Sequence, residues 1–528
     1  VPPASTSTGA ASFDDVDTLF ERYGPVYKWL VTVTSMVGVM TMTLGATTVN
    51  VAFPDIMGAF GIGRDTAQLI STGYFASQTS GMLLSAWLIN ALGERRTFTI
   101  AVLIFLAGSA MSGMANNTEL LLLGRVMQGN SAGIIMPLGM AVTFRVFPRH
   151  QKGLSMGIFS MGNVLAPALG PTLGGLAIDA FSWRYIFLLT IPTAIVALIL
   201  ANIFMPTRPV PKKLPSFDVI GYAFLLAGLS GLLLGFSHGQ RSGWTSTEII
   251  LLFAMGGVGA IGFVLRQLYG PNPLVNMRVF SSAKFCAAAS IGFFTGAAMF
   301  SSFFLLPLFT QQIQHFTALN AGLLMIPAGL SLIILFPVAG RLSDMMPAYI
   351  MIYAGMIIFS VAFFCLSTAD VNTPFWTLVL FTLLVRMGVA CTRSVVNAEA
   401  LKALPPDLVN QGSSSVNFVR QLGGTLGTNC LVVFLELRIP FHGDAFTAMQ
   451  TGASQTTQDL RDTVSRLLGE AGVSEFARGP SATQYLSDVI LAQASTMGFQ
   501  DAYFLLAIFA AAGVIPAWIL SRTKSNSL

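Results

Sequence analysis

The chemistry of this sequence has to come from a few charged side chains embedded in long apolar runs. Arg125 lies in the run 119–144, one helical turn before Gln128, and Arg386, Arg393 and Glu399 lie in the run 375–403 at offsets of seven and six. Burying an ionisable group in such a run costs several kcal/mol, so each is a functional candidate by default. Residues two turns apart share a helix face, which puts Arg386 and Arg393 on one side. Arg125 could set the charge of an interior and respond to protonation nearby, or act as a hydrogen-bonding anchor. Glu399 is the strongest acid inside an apolar run; it could carry a proton, snorkel to water, or pair with Arg420. Arg125 and Glu399 are therefore the two proton-coupling candidates.

Enzyme signatures do not compete with this reading. There is no G-x-x-x-x-G-K-[ST] to cradle a phosphate and no H-E-x-x-H to hold zinc. Gly153-Leu154-Ser155-Met156-Gly157 matches the hydrolase elbow G-x-S-x-G, but that motif needs a strand-turn-helix and acid and histidine partners. Here it opens an apolar helix, and it reads as a chance match. Cys286, Cys365, Cys391 and Cys430 lie in or at the end of apolar runs with no C-x-x-C pair, and the four histidines are scattered at loop edges. Neither a disulfide framework nor a metal site is expected.

The elements that position these residues must cross a membrane. Of the 528 residues, 54% are hydrophobic and only 10% charged, and the mean hydropathy is +0.71. A soluble domain carries about 25% charged residues, which excludes a water-soluble enzyme, and the apolar content excludes disorder. The net charge of +5 comes without the basic patch that nucleic acid requires. Fourteen apolar runs follow a polar tail of residues 1–27: 28–50, 66–90, 97–114, 119–144, 153–178, 183–205, 219–237, 247–268, 285–311, 317–342, 348–368, 375–403, 414–438 and 499–521. Each is near the ~20 residues that span a ~30 Å hydrocarbon core.

Lysine and arginine in the short loops set the orientation. One side holds Arg95, Arg96, Arg145, Arg149, Lys152 and Arg208, then Lys212, Lys213, Arg266, Arg278 and Lys284; the other holds only Arg64, Arg184 and Arg241. Both termini are thus expected in the cytoplasm, with a multi-pass chain in the cell membrane. The polar stretch 439–498 is expected as an outer loop with two short helices, either a docking or lid element or a tether.

The most informative segment is Ala166-Pro167-Ala168-Leu169-Gly170-Pro171-Thr172-Leu173-Gly174-Gly175. Glycines four apart let a second helix approach closely, and the prolines remove backbone donors and bend the helix. This segment resembles the antiporter signature of the major facilitator superfamily, in its fourteen-span drug:proton antiporter branch of EmrB-like and QacA-like proteins. Other stretches resemble the family's landmarks in order: Thr47-Thr48-Val49-Asn50 on the first span, Gly93-Glu94-Arg95-Arg96 on an inner turn, Arg125-x-x-Gln128-Gly129 on the fourth span, Gly340-Arg341-Leu342-Ser343-Asp344 repeating the inner-loop motif, and Arg420-Gln421-Leu422-Gly423-Gly424. The likeness runs from about residue 40 to 430.

The resemblance implies an all-α polytopic protein of the major facilitator fold: a six-helix bundle over 28–205, an inserted helix pair with its flanking loops over 206–284, a second six-helix bundle over 285–521, and a tail at 522–528. It implies proton-coupled export of amphipathic or hydrophobic drug-like molecules by alternating access, drawing on a proton gradient and no cofactor. The gating candidates are Gly93, Arg95, Arg96, Asp344, Pro167, Gly170, Pro171, Gly174 and Gly175; the substrate-binding candidates are Thr47, Asn50, Gln128, Asn163 and Gln311. Gly45 stands where the family's first-span motif usually begins with an aspartate, Asn90 where an aspartate is usual and Ala86 where a glycine is usual. A coupling carboxylate must then lie elsewhere. Besides the bilayer, a membrane-fusion adaptor and an outer-membrane channel could be partners. Export of a single metabolite or antibiotic, uptake by symport, and a non-transporting scaffold stay open as alternatives.

Overall fold

A computed structural model describes residues 14–208, 215–450 and 454–522. The side chains of Asn50, Arg64, Pro171 and Arg241, all of Lys212 and Lys213, and residues 1–13 and 523–528 of the two tails lie outside the described residues. Among the described residues the chain is helical throughout. In order, the helices are α1 (Val16–Tyr23), α2 (Tyr27–Thr47), α3 (Phe53–Phe60), α4 (Arg64–Leu92), α5 (Glu94–Gly113), α6 (Thr118–Val146), α7 (Lys152–Ala180), α8 (Tyr185–Leu188) and α9 (Thr190–Phe204). They continue with α10 (Val219–Ser242), α11 (Thr247–Tyr269), α12 (Ala283–Gln312), α13 (Ala318–Met345), α14 (Ala348–Leu366), α15 (Phe375–Lys402), α16 (Val409–Met449), α17 (Gln455–Glu470), α18 (Glu475–Ala512) and α19 (Val514–Arg522).

Local chemistry sets several of the starts. Side-chain oxygens of Asn117, Asp218, Ser246, Ser282 and Thr317 accept from backbone N–H groups in the first turns of α6, α10, α11, α12 and α13, satisfying donors that a helix leaves free. Gly93 takes φ +81 at the tight turn from α4 to α5, a conformation that side chains with a Cβ resist. Just after Pro167 the chain bends, and the stretches 149–167 and 172–180 meet at 41°.

Every one of the fourteen apolar runs falls on helix, which makes this an all-α membrane bundle. Eleven of the described helices or helix runs are long and apolar enough to cross a membrane, or twelve with the bent α7. Outside that set stand α4 and α6, which bury polar faces: Ser77, Gln78, Thr79 and Ser80 on α4, Arg125, Gln128 and Ser131 on α6. A span that turns polar groups toward its neighbours loses mean hydropathy without ceasing to be buried.

In the first half, α6 packs on α4 and α5, and α2 packs on α6, α7 and α9. The second half is built likewise around α12, α13, α14, α15, α16 and α18. Helices α10 and α11 pair with each other, and α10 rests on α4 and α16. Two seams join the halves: α7 against α13 and α15, and α4 with α6 against α16.

The stretch 439–498 differs from the expected loop. Helix α16 runs on through Pro440 to Met449, and α18 begins at Glu475, well before the last apolar run. The two continue side by side, tied by Arg438 Nε to Asp501 at 2.6 Å and His442 Nε2 to Asp501 at 2.7 Å. The polar composition that suggests a loop belongs here to the exposed faces of helices that extend past the apolar runs, with α17 packed on α18.

Candidate functional site

Three clusters of buried polar side chains stand out, one inside the first half and two at the seams. The first is built on Arg125, which is fully buried in the first half. Its guanidinium donates to the carbonyl of Gly45 at 2.9 Å, to Gln128 Oε1 at 2.9 Å and to the Ile70 carbonyl at 3.5 Å, and lies 4.3 Å over the Tyr74 ring. Gln128 in turn donates to Ser109 at 2.8 Å. One guanidinium nitrogen, Nη2, has no partner. The helix that lacks an aspartate at Gly45 thus still meets Arg125, through its backbone.

The second cluster closes the end of the bundle that carries the basic loops. Asp344, at the end of α13, accepts from the backbone N–H groups of Gly153 at 2.7 Å and Leu154 at 2.9 Å. A carboxylate there satisfies two free donors of the α7 N-terminus and meets the positive end of the helix dipole. The backbones come this close because Gly153 and Gly157 face Gly340: a Cβ on Gly153 would overlap the Ser343 hydroxyl and stand 2.6 Å from the Gly340 carbonyl. On the other seam, buried Glu94 pairs with Arg145 at 2.6 Å and Arg208 at 3.1 Å. Arg145 also donates to Asn410 of the second half at 2.8 Å.

The third cluster lies where α15 and α16 meet the first half. Arg420 donates to Asn397 Oδ1 at 2.7 Å and to Asn417 Oδ1. Asn397 donates to Ser160 of α7 at 3.3 Å, and Asn417 reaches Met140 Sδ of α6 at 3.1 Å. Arg393 is 4% exposed; its Nη1 points at Met299 Sδ at 3.3 Å and its Nε has no partner. Arg386 lies 3.9 Å over the Phe303 ring with Nη1 unpartnered. Next to this cluster, Gln421 donates to Gln78 across the seam at 3.3 Å.

The remaining candidates are dispersed. Glu399 sits half-buried at the end of α15 and pairs with Lys402 at 3.0 Å, not with Arg420. Arg420 turns inward to amides, whereas the helix end lets Glu399 reach a flexible cation near water. Asn163 accepts from Thr43 at 2.9 Å. The Thr47 hydroxyl bonds the carbonyls of Thr43 and Leu44 and lies where a Cβ on Gly170 would go. Gly174 faces the Thr48 carbonyl, while a Cβ on Gly175 would meet open space. Arg95 is tied to Asp14 and the Met205 carbonyl; Arg96 is exposed. Gln311 is exposed at the end of α12. Thr47 and Asn163 therefore share the α2–α7 face, and Gln128 and Gln311 do not join them. The sequence reading missed Asn397, Asn417 and Ser160, since it weighed charges inside apolar runs and passed over amides. The sequence reading also sets Gly153-x-x-x-Gly157 aside as a chance match to a hydrolase motif, although that spacing marks close helix packing.

Residues 35–428 match the family described as the Major Facilitator Superfamily. The lincomycin resistance protein LmrB of Listeria monocytogenes is 29% identical over 74% of this chain and 83% of its own length. The multidrug export protein EmrB of Haemophilus influenzae is 27% identical over 91% of this chain and 93% of its own length. Among solved structures, the proton:xylose symporter XylE superposes with a TM-score of 0.58 at 12% identity, covering 94% of this chain and 96% of that one. At that identity the likeness concerns the fold alone.

Proposed function

The chain belongs to the Major Facilitator Superfamily, and we propose that it is a proton-driven multidrug exporter that works by alternating access. It is a secondary transporter, not an enzyme. The likeness to EmrB over nearly the whole of both chains carries the drug-export reading. Both termini lie in the cytoplasm of a cell-membrane protein in this reading, and the inserted pair α10–α11 rides outside a six-plus-six core. The halves rock about the two seams. The closed basic end, held by Asp344 on the α7 N-terminus and by Glu94, Arg145 and Asn410, opens when drug enters from inside.

In this proposal Arg125 holds α2, α4 and α6 as one body, and Glu399 is the acid that exchanges protons at the basic end, with Lys402 released when it is neutralised. The drive is about 2.3 kcal/mol per charge per 100 mV plus the pH gradient. The paired helices α16 and α18 offer a firm surface that an adaptor protein could grip.

Purified protein in proteoliposomes tests the proposal. Drug transport should stop when the pH gradient and the membrane potential are collapsed together. Drug addition should release protons from the wild type and much less from Glu399→Gln. Transport indifferent to both gradients removes the proton drive. Undiminished proton release from Glu399→Gln removes that residue from the coupling.

A further inference from the structure

The interior of this protein carries positive charge that its own acids do not balance. Arg125, Arg386, Arg393 and Arg420 are all at most 5% exposed, and among the described residues none has a carboxylate within salt-bridge distance. The buried acids, Glu94 and Asp218, are engaged elsewhere, Glu94 by Arg145 and Arg208 and Asp218 by Arg266. A buried ion without a partner costs several kcal/mol, so an arrangement of this kind needs a reason.

Hydrogen-bond accounting locates the deficit. A guanidinium has five N–H donors and no acceptor. Arg393 directs one nitrogen at a thioether, a weak acceptor, and leaves Nε free. Arg420 is held by two neutral amide oxygens, which supply dipoles and no charge. Arg420 is bonded to Asn397 of α15, one helical turn from Arg393 on the same helix face. Two like charges are thus held together at the point where Asn397 and Asn417 touch α7 and α6 of the other half. Contacts that cross the seam must part when the halves rock. The opening would therefore uncover this pair.

We propose that Arg393 and Arg420, positioned by Asn397 and Asn417, bind the anionic group of the exported molecule: a carboxylate, sulfonate or phosphate carried on an apolar body. The inference rests on the export reading and names its substrate class. Arginine suits such oxyanions because its planar fork can bond two oxygens at once. Once bound, the anion supplies the charge that the protein lacks. Met299 lies against Arg393, Met140 against Asn417 and Phe303 against Arg386, and these side chains offer adaptable apolar surface for the rest of the molecule.

Dansylglycine (anionic), its amide (neutral) and ethidium (cationic) are the probes, with wild type, R393Q, R393K, R420Q and R393M in phosphatidylcholine nanodiscs. Wild type should bind dansylglycine about tenfold or more tightly than the amide, the size expected of charge-assisted hydrogen bonds. R393Q and R420Q should each erase that preference, and R393K should keep part of it. Equal binding of carboxylate and amide by wild type overturns the proposal without any variant. So does an R393M that melts higher than wild type and still binds dansylglycine normally, since the arginine is then only a packing burden. Adding phosphatidylglycerol should leave dansylglycine binding unchanged; if the lipid displaces the probe, a lipid headgroup is the occupant and the cargo assignment falls. Proton-driven ethidium export by a wild type that shows no carboxylate preference sinks this inference and leaves the export reading standing. If none of the three probes is moved by wild-type proteoliposomes, it is the export reading that fails.

Discussion

Arg125 and Arg393 are both buried arginines inside long helices, each with one unpartnered nitrogen, yet the acceptors around them differ. Arg125 has acceptors from three helices and an aromatic ring beneath it, and its main partner, Gln128, is itself held by Ser109. Arg393 has a thioether and an empty Nε. The cost of taking a guanidinium out of water is similar in the two places. In the first half it is offset by the protein; in the second it is left largely uncompensated. Burial alone therefore does not separate a structural cation from one that waits for a ligand. The count of acceptors does, and so does position: Arg125 lies within one half, while the amides around Arg420 contact the other.

The most severe way to break that contrast is to remove each charge in turn. Arg125→Met leaves Gln128 Oε1 and the Gly45 carbonyl in the last turn of α2 without their donor, and unsatisfied buried acceptors cost roughly 1–3 kcal/mol apiece. Thermal melting of the purified protein should fall steeply, by about 3 kcal/mol or more in stability. Arg393→Met should hold or raise the melting point, as relief of an uncompensated buried charge does. Equal losses in both variants erase the distinction. A smaller effect comes from Gln128→Leu, which keeps Arg125 but strips its strongest side-chain acceptor; about 1–3 kcal/mol should go. Arg125 then resembles Arg393, and if melting is unchanged the Gln128 bond contributes nothing.

The same contrast bears on what the sequence reveals. The helices were legible because a bilayer demands long apolar runs, and all fourteen runs lie on helix. Arg125, Arg386 and Arg393 were legible as anomalies within those runs. What was not legible is which neighbours each would find. Glu399 and Arg420 look like partners on charge alone, but α15 ends just beyond Glu399 and gives it Lys402, while Arg420 faces Asn397 and Asn417. The extension of α16 and α18 was hidden for another reason. Polar faces on a helix beyond the membrane read like a loop when hydropathy is the only guide.

The finest test pairs the residues behind the two networks. Ser109 backs Gln128 at 2.8 Å within the first half, and Ser160 backs Asn397 at 3.3 Å across the seam. Ser109→Ala should cost about 1 kcal/mol of stability, the net value of an ordinary buried hydrogen bond. Ser160→Ala should cost less than about 0.5 kcal/mol, because its bond is long and geometry weakens it. Its effect should appear in transport rate instead, since Ser160 holds the halves together only while the seam is closed. Melting curves and drug flux measured on the same preparations separate these outcomes. If Ser160→Ala destabilises the fold as much as Ser109→Ala and leaves flux alone, the α15–α7 contact is a permanent packing interface, and the second-half arginines are not uncovered there during the cycle.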